Sequence, residues 1–262
     1  MEPDVKLTHA FAAPILAFAL AAVAAPSQAT TVIFAGFDTG NSNAPNLKFA
    51  NKGASDPDSA LVYTTATPNG GPGAANVRFS FFDDPALGDF FDLAAKFTLT
   101  GSVTDTPAGF DGATYTQTGV NGSFQFVYSG PTQVLDGVSL VKNSTVLFGG
   151  TFTNAWFQGF GGVGGLALTH TNGGTANFFS DIYPVSQFAA DTEAFTFHLG
   201  VVSPVFARAN PGSALRSFRA HMAGEFQADI VPEPAAWGLM ILGFGCAGTI
   251  LRTRRRAFAI AA

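Results

Sequence analysis

The sequence predicts an all-β fold, with a sandwich or jelly-roll-like body flanked by an apolar helical segment at each end. Three observations lead to this prediction. Apolar residues alternate with polar ones over short runs, and clusters of Gly, Asn, Asp and Pro separate these runs. In addition, no stretch of ten residues combines an apolar period of about 3.6 residues with helix capping residues.

The alternation is clearest in the run GSFQFVYSG. Phe124, Phe126 and Tyr128 fall on one face of an extended chain, because successive strand side chains point to opposite sides. The run LRSFRAHMAGEFQAD alternates in the same way, and its Ala-Gly pair at residues 223–224 predicts a bulge or bend. The best candidate for one or two helical turns is DDPALGDFFDLAAKF.

Composition favours a well-packed exported domain over a nucleic-acid binder. Charged residues make up only 12% of the 262 residues, and 28 residues are Phe. The body carries eight Lys and Arg against 15 Asp and Glu, so it lacks the basic surface that nucleic acid requires. The only cysteine, Cys246, lies in the apolar C-terminal segment, so the body has no disulfide and no thiolate metal site.

The N-terminal segment is typical of a secretory signal peptide. Residues 10–25 are almost entirely apolar, and Ser27 and Ala29 form a small-x-small pattern that signal peptidase accepts. We therefore expect residues 1–29 to be removed and Thr30 to be the mature N-terminus. A membrane anchor or a core helix is the alternative interpretation of the same residues.

The C-terminal segment has the features of a short membrane span. Residues 235–251 carry no charge and have about the minimum length for a spanning helix. The basic cluster that follows predicts a cytoplasmic end, and Trp237 falls at the opposite interface. This membrane-stop cluster consists of Arg252, Arg254, Arg255 and Arg256.

The span is preceded by a tripeptide, and a simple membrane anchor does not require this tripeptide. Pro232, Glu233 and Pro234 stand just outside it, followed by Trp237, a glycine-bearing apolar run and the arginines. This order resembles the C-terminal sorting region of PEP-CTERM proteins, in the subtype with Pro-Glu-Pro-x-x-Trp-Ala. Gly238 stands where that subtype usually has Ala, and the tail after Arg256 is longer than usual.

The resemblance covers only the last thirty or so residues, and its implications concern sorting. It implies export in a Gram-negative bacterium that makes exopolysaccharide, brief retention in the inner membrane, and processing by an exosortase. The body then reaches the outer surface or the extracellular matrix. The expected organisation is a signal peptide at 1–29, a β-domain at 30–230, a sorting region at 231–256 and a cytoplasmic tail at 257–262. A permanently anchored single-pass surface protein is the alternative.

The body contains no pattern that predicts catalytic, cofactor-binding or metal-binding residues. Neither Gly-x-Ser-x-Gly nor His-Glu-x-x-His occurs, and His170, His198 and His221 are far apart within strand-like sequence. The run of residues 159–164 formally matches a dinucleotide-binding fingerprint. No phosphate-cradling helix is expected after it, so a glycine loop between strands is the better interpretation.

Acidic clusters leave calcium binding open as an alternative to solvated loops. Their spacing matches neither an EF-hand nor a known repeat, so we expect solvated loops. The clustered residues are Asp56, Asp58, Asp83, Asp84, Asp89 and Asp92.

Two classes of function remain after these exclusions. The first is a non-enzymatic surface or matrix protein, structural or associated with exopolysaccharide. The second is a secreted enzyme acting on polysaccharide, which would need two carboxyl groups about 5–10 Å apart in a cleft. We expect the first, since no such pair stands out in the sequence.

Overall fold

The computed structural model describes residues 30–39, 44–52, 60–84, 88–103, 107–135, 139–168, 173–230, 243–245 and 247–248. The chain divides into two units, Thr30–Ile230 and a second one made of Met1–Ala29 with Val231–Ala262. In the second unit, the few described residues are helical. The described residues contain no helix with the length and apolar character needed to cross a membrane.

The unit Thr30–Ile230 is built from strands. They are β1 Thr30–Asp38, β2 Leu47–Asn51, β3 Ala60–Thr64, β4 Ala75–Asp84, β5 Gly88–Val103, β6 Gly109–Phe110, β7 Tyr115–Tyr128, β8 Gln133–Leu135, β9 Ser139–Val141, β10 Val146–Phe160, β11 Val163–Leu168, β12 Thr175–Phe179, β13 Ala194–Ser203 and β14 Phe218–Ile230. A 3-10 turn, Val185–Gln187, lies between β12 and β13. The all-β prediction is confirmed.

Twelve of these strands form one antiparallel sheet that closes on itself. Its order is β1-β4-β5-β3-β2-β14-β13-β11-β10-β7-β6, and the additional pairings β1–β14 and β5–β7 complete the circuit. β12 pairs with β10, and β8 and β9 form a separate hairpin. Among the described strands, six of the thirteen consecutive pairs are hydrogen-bonded neighbours: β2–β3, β4–β5, β6–β7, β8–β9, β10–β11 and β13–β14.

At two places in the sheet, two strands lie end to end along the same edge of a longer strand. β14 pairs with β1 through residues 224–230 and with β2 through residues 218–220, so β1 and β2 lie in line along its edge. β3 and β4 lie in line along β5 in the same way. Thr30 pairs with Ile230, which brings the two ends of the unit side by side.

The interior is filled mainly by phenylalanine. The largest fully buried side chains in the described part of the chain are all Phe, at positions 34, 49, 79, 81, 97, 126, 148, 157, 195, 197, 218 and 226. The rings pack edge-to-face or offset, as for Phe34 against Phe148 at 5.3 Å between centroids. Burial of each ring stabilises the fold by about 2–3 kcal/mol, so the core does not depend on disulfides.

Two local predictions are wrong. The segment DDPALGDFFDLAAKF lies in the end of β4 and in β5 rather than in helical turns, because its apolar residues pair across the sheet. The predicted bulge at residues 223–224 is absent from the pairing of β14 with β13, where the register runs through unshifted. In the pairing of β14 with β1, the register shifts between Ile33 and Ala35, opposite residues 226–227.

Candidate functional site

A depression lies on the outer face of the sheet, over the neighbouring strands β13, β14, β1 and β4. Its volume is about 270 Å³, and it is open to solvent. We call it the outer-face depression. It is lined by Gly36, Phe37, Asp38, Arg78, Ser80, Phe82, His198, Ala223, Gly224 and Glu225.

The pairing register places its polar side chains next to one another. Asp38 on β1 lies opposite Arg78 on β4, and Gly36 lies opposite both Ser80 and Glu225. His198 on β13 lies opposite Ala223 on β14. These polar residues point outward because their neighbours along each strand are buried in the phenylalanine core.

A glycine forms part of the floor of the depression. A Cβ atom at Gly36 would lie 3.1 Å from the ring of Phe82 and 3.1 Å from the carbonyl oxygen of Gly224. The Phe82 ring therefore rests on the backbone of β1, and it remains half-buried. The depression thus combines an aromatic ring at one side with polar groups around it.

Gly224 makes room on the opposite face of the sheet. A Cβ atom there would lie 2.5 Å from the Phe197 ring and 3.0 Å from the Phe37 ring. This close approach explains the glycine that the sequence suggested as a bulge. The backbone below the depression is consequently packed directly onto the core.

The guanidinium of Arg78 at the depression has a defined partner. Nε of Arg78 lies 3.6 Å from Oδ1 of Asp92, and the guanidinium also donates to the Asp92 carbonyl oxygen at 3.2 Å. The hydroxyl of Ser80 accepts a hydrogen bond from the Asp92 backbone N–H at 3.1 Å. Both charged side chains of the ion pair are largely exposed, so it orients Arg78 but adds little to stability.

Taken together, these groups can both donate and accept hydrogen bonds beside an aromatic surface. Asp38 and Glu225 supply carboxylate acceptors, while Arg78 supplies guanidinium donors. A hydroxyl-rich ligand such as a sugar offers matching donors and acceptors, together with an apolar ring face that can pack on Phe82.

Of the two candidate histidines among the described residues, His198 lies at the depression. His221 lies on β14, and its Nε2 forms a hydrogen bond with the hydroxyl of Thr39, which follows β1. His170 lies outside the described residues. Within the described ranges, no group of three or more His, Cys, Asp or Glu could hold a metal ion.

The structure describes only part of the acidic clusters, whereas it describes the whole glycine run. Asp92 pairs with Arg78, whereas Asp56, Asp58 and the side chains of Asp83, Asp84 and Asp89 lie outside the described part. The run at residues 159–164 spans the β10–β11 hairpin, with Gly161 at φ +58° in its turn. The interpretation as a glycine loop between strands is confirmed.

Sequence reasoning missed most of the depression. The outward positions of β4, Arg78, Ser80 and Phe82, could have been identified from the alternation in ANVRFSFF. Their neighbours Asp38 and Glu225 could not, because nothing in a single sequence states which strands pair. The sorting motif, the arginine cluster and the signal cleavage residues all lie outside the described residues.

Comparison with known proteins adds no relative. The chain matches no family model, no curated protein and no solved structure.

Proposed function

We propose that this chain is an exported, non-enzymatic surface or matrix protein whose β-domain binds exopolysaccharide through the outer-face depression. One observation supports this most directly: a half-buried Phe82 ring borders an open depression that also presents Asp38, Arg78 and Glu225. Sugar recognition uses this combination, since the ring packs against the apolar face of a pyranose and the polar groups bond its hydroxyls.

The openness of the depression favours binding over turnover. Glycoside hydrolysis requires the scissile bond to be held between two carboxyl groups, one acting as the acid and the other as the base or nucleophile. The depression is open to solvent, and the imidazole of His198 is exposed. A long polysaccharide could lie across such a surface without being cut.

A polysaccharide-acting enzyme is the second candidate, and a specific observation favours it. Asp38 and Glu225 line the same depression on adjacent strands, and two neighbouring carboxyl groups are the minimum that a glycosidase needs. Incubating the protein with the polysaccharide and measuring new reducing ends separates the two functions. Sugar release that Glu225→Gln abolishes would establish the enzyme.

The binding test compares two phenylalanines. We expect Phe82→Ala to weaken binding to exopolysaccharide from the producing bacterium on the order of tenfold, through loss of the stacking surface. Phe160→Ala is the matched control, because Phe160 is 63% exposed on β10 and does not line the depression. Affinity electrophoresis measures both. Equal retention by the two variants would refute the depression as the binding site.

The sorting route belongs to the same proposal and rests on the resemblance at the C-terminus. Signal peptidase removes residues 1–29, the span holds the precursor in the inner membrane, and an exosortase acts at Pro232, Glu233 and Pro234. Replacing this tripeptide with three alanines should block release in a host with the exosortase. If the altered protein is released normally, the permanent-anchor alternative holds.

The finer fold prediction also remains a proposal. A sandwich or jelly-roll-like body corresponds to a flattening of the closed sheet into two facing layers. The helices at the two ends of the chain are likewise proposed from their apolar sequence alone.

A further inference from the structure

Strand β12 has one edge without a strand partner among the described residues. β12 pairs with β10 from Thr175 opposite Thr153 to Phe179 opposite Gly149. It lies in line with β11 along β10, but the other edge of β11 pairs with β13. The other edge of β12 has no strand partner in the described part of the chain. Its backbone groups on that side are therefore placed to pair with another extended segment.

This edge also lacks the features that usually protect exposed strands. Natural edge strands carry Lys, an inward charge, Pro or a bulge, which prevent pairing with another chain. The sequence of β12 is Thr-Ala-Asn-Phe-Phe, with no charge and no proline. Its pairing with β10 shows no register shift, so it contains no bulge. An unprotected edge of this kind indicates that something covers it in the assembled protein.

The strand is complementary to a second copy of itself. Two antiparallel copies related by a twofold axis at Asn177 would pair all five residues, whereas any other symmetric register pairs fewer. Ala176 and Phe178 are buried, and in this register the small residue of one copy faces the large residue of the other. On the exposed face the two Asn177 amides meet, and each can donate to and accept from the other.

We infer that two copies of this chain associate by pairing their β12 strands antiparallel about Asn177, which joins their sheets into one. This interface is isologous, as twofold symmetry requires. Five residue pairs form a small contact, below the roughly 1,000 Å² of a stable interface, so the dimer is weak and depends on concentration. β12 is not among the strands that line the outer-face depression, so the inference is independent of the proposed function.

Cysteine cross-linking tests the register directly. Cys246 is the only cysteine, so the full chain with Cys246→Ser provides a thiol-free background. In the proposed dimer, two Asn177→Cys residues face each other with Cα atoms about 5 Å apart. Two Thr175→Cys residues would be four positions apart, about 13 Å along the strands. Thr175 is a matched control because both side chains are exposed on the same strand.

We expect a short bis-maleimide reagent to give a covalent dimer with Asn177→Cys and little with Thr175→Cys, for the full chain in detergent. Equal dimer yields from both variants, or dimer from neither, would overturn the inference. The comparison does not depend on the strength of association, because cross-linking captures a weak dimer during its lifetime.

A charge variant provides a second measurement. Asn177→Asp places two carboxylates opposite each other in the dimer while leaving the pairing with β10 in place, so we expect at least tenfold weaker association by sedimentation. Thr151→Asp is the control, since Thr151 lies opposite Asn177 on β10 and adds the same charge one strand away. Equal association constants for the two variants would contradict pairing at this edge.

Discussion

The two faces of the same strands follow different chemical rules. On β4, Phe79 and Phe81 point inward and are fully buried, whereas Arg78, Ser80 and Phe82 line the outer-face depression. The inner face is dominated by Phe, with Val, Leu and Ala beside it, and this suffices because burial of apolar area is non-directional. The outer face instead carries different groups at defined positions, namely carboxylates, a guanidinium, a hydroxyl and an aromatic ring. Stability therefore depends on the inner face, and the binding proposed above would depend on the outer one.

The largest expected effect comes from removing an inner ring. Phe226 is fully buried, and its ring centroid lies 4.8 Å from that of Phe148, 5.1 Å from that of Phe124 and 5.5 Å from that of Phe197. Phe226→Ala should lower the free energy of unfolding by about 3–5 kcal/mol through lost burial and a cavity. Chemical denaturation measures it, with Phe226→Leu as the milder control.

A loss below about 1 kcal/mol for Phe226→Ala would contradict the core as described. The same variant, while folded, should retain binding to exopolysaccharide, since Phe226 does not line the depression.

An intermediate effect is expected when one substitution is made on each face. Gly224→Ala directs a methyl group at the Phe197 ring and the Thr196 carbonyl oxygen, so it should cost about 1–3 kcal/mol of stability. Gly36→Ala meets the outer Phe82 ring at 3.1 Å, and this half-buried ring can move. It should cost less stability but disturb sugar binding. Melting temperatures and sugar affinities of the two variants test this division of roles between the faces. A larger loss of stability for Gly36→Ala than for Gly224→Ala would contradict it.

The smallest effect concerns an exposed turn away from both regions. Oδ1 of Asp111 accepts the backbone N–H groups of Thr114 at 2.7 Å and Ala113 at 2.8 Å. These bonds, that of Thr114 first, hold the pKa of the Asp111 carboxyl below its ordinary value. Because the folded-state pKa is depressed, the stabilisation exists above the ordinary pKa and is lost as pH falls through the folded value.

We therefore expect Asp111→Asn to lower the melting temperature slightly at neutral pH, and the difference from the unaltered protein to shrink below about pH 4. Thermal melts over this range measure it. A difference that does not change with pH would show that the charge of the turn contributes nothing.

The sequence carried the information for the inner face and only part of the outer one. Alternation in runs such as GSFQFVYSG identified β7 because its buried residues, Phe124 and Phe126, recur with period two. It failed for DDPALGDFFDLAAKF, whose strand state is fixed by pairing of β5 with β4 and β7 rather than by local pattern. The residues that line the depression span positions 36 to 225 of the sequence. Only the pairing of the strands shows that they lie together.

The position of β14 has a mechanical consequence. Its one edge is bonded to β13 and its other edge to β1 and β2, and it ends at Ile230, where the chain leaves the domain. Tension applied at that point runs along the strand, perpendicular to its hydrogen bonds, so many bonds share the load instead of opening one after another. Glu225 on this strand also lines the depression, so a polymer bound there, as proposed above, would load the same strand. The load would enter the sheet through β14 and pass to β13, β1 and β2 through their shared hydrogen bonds.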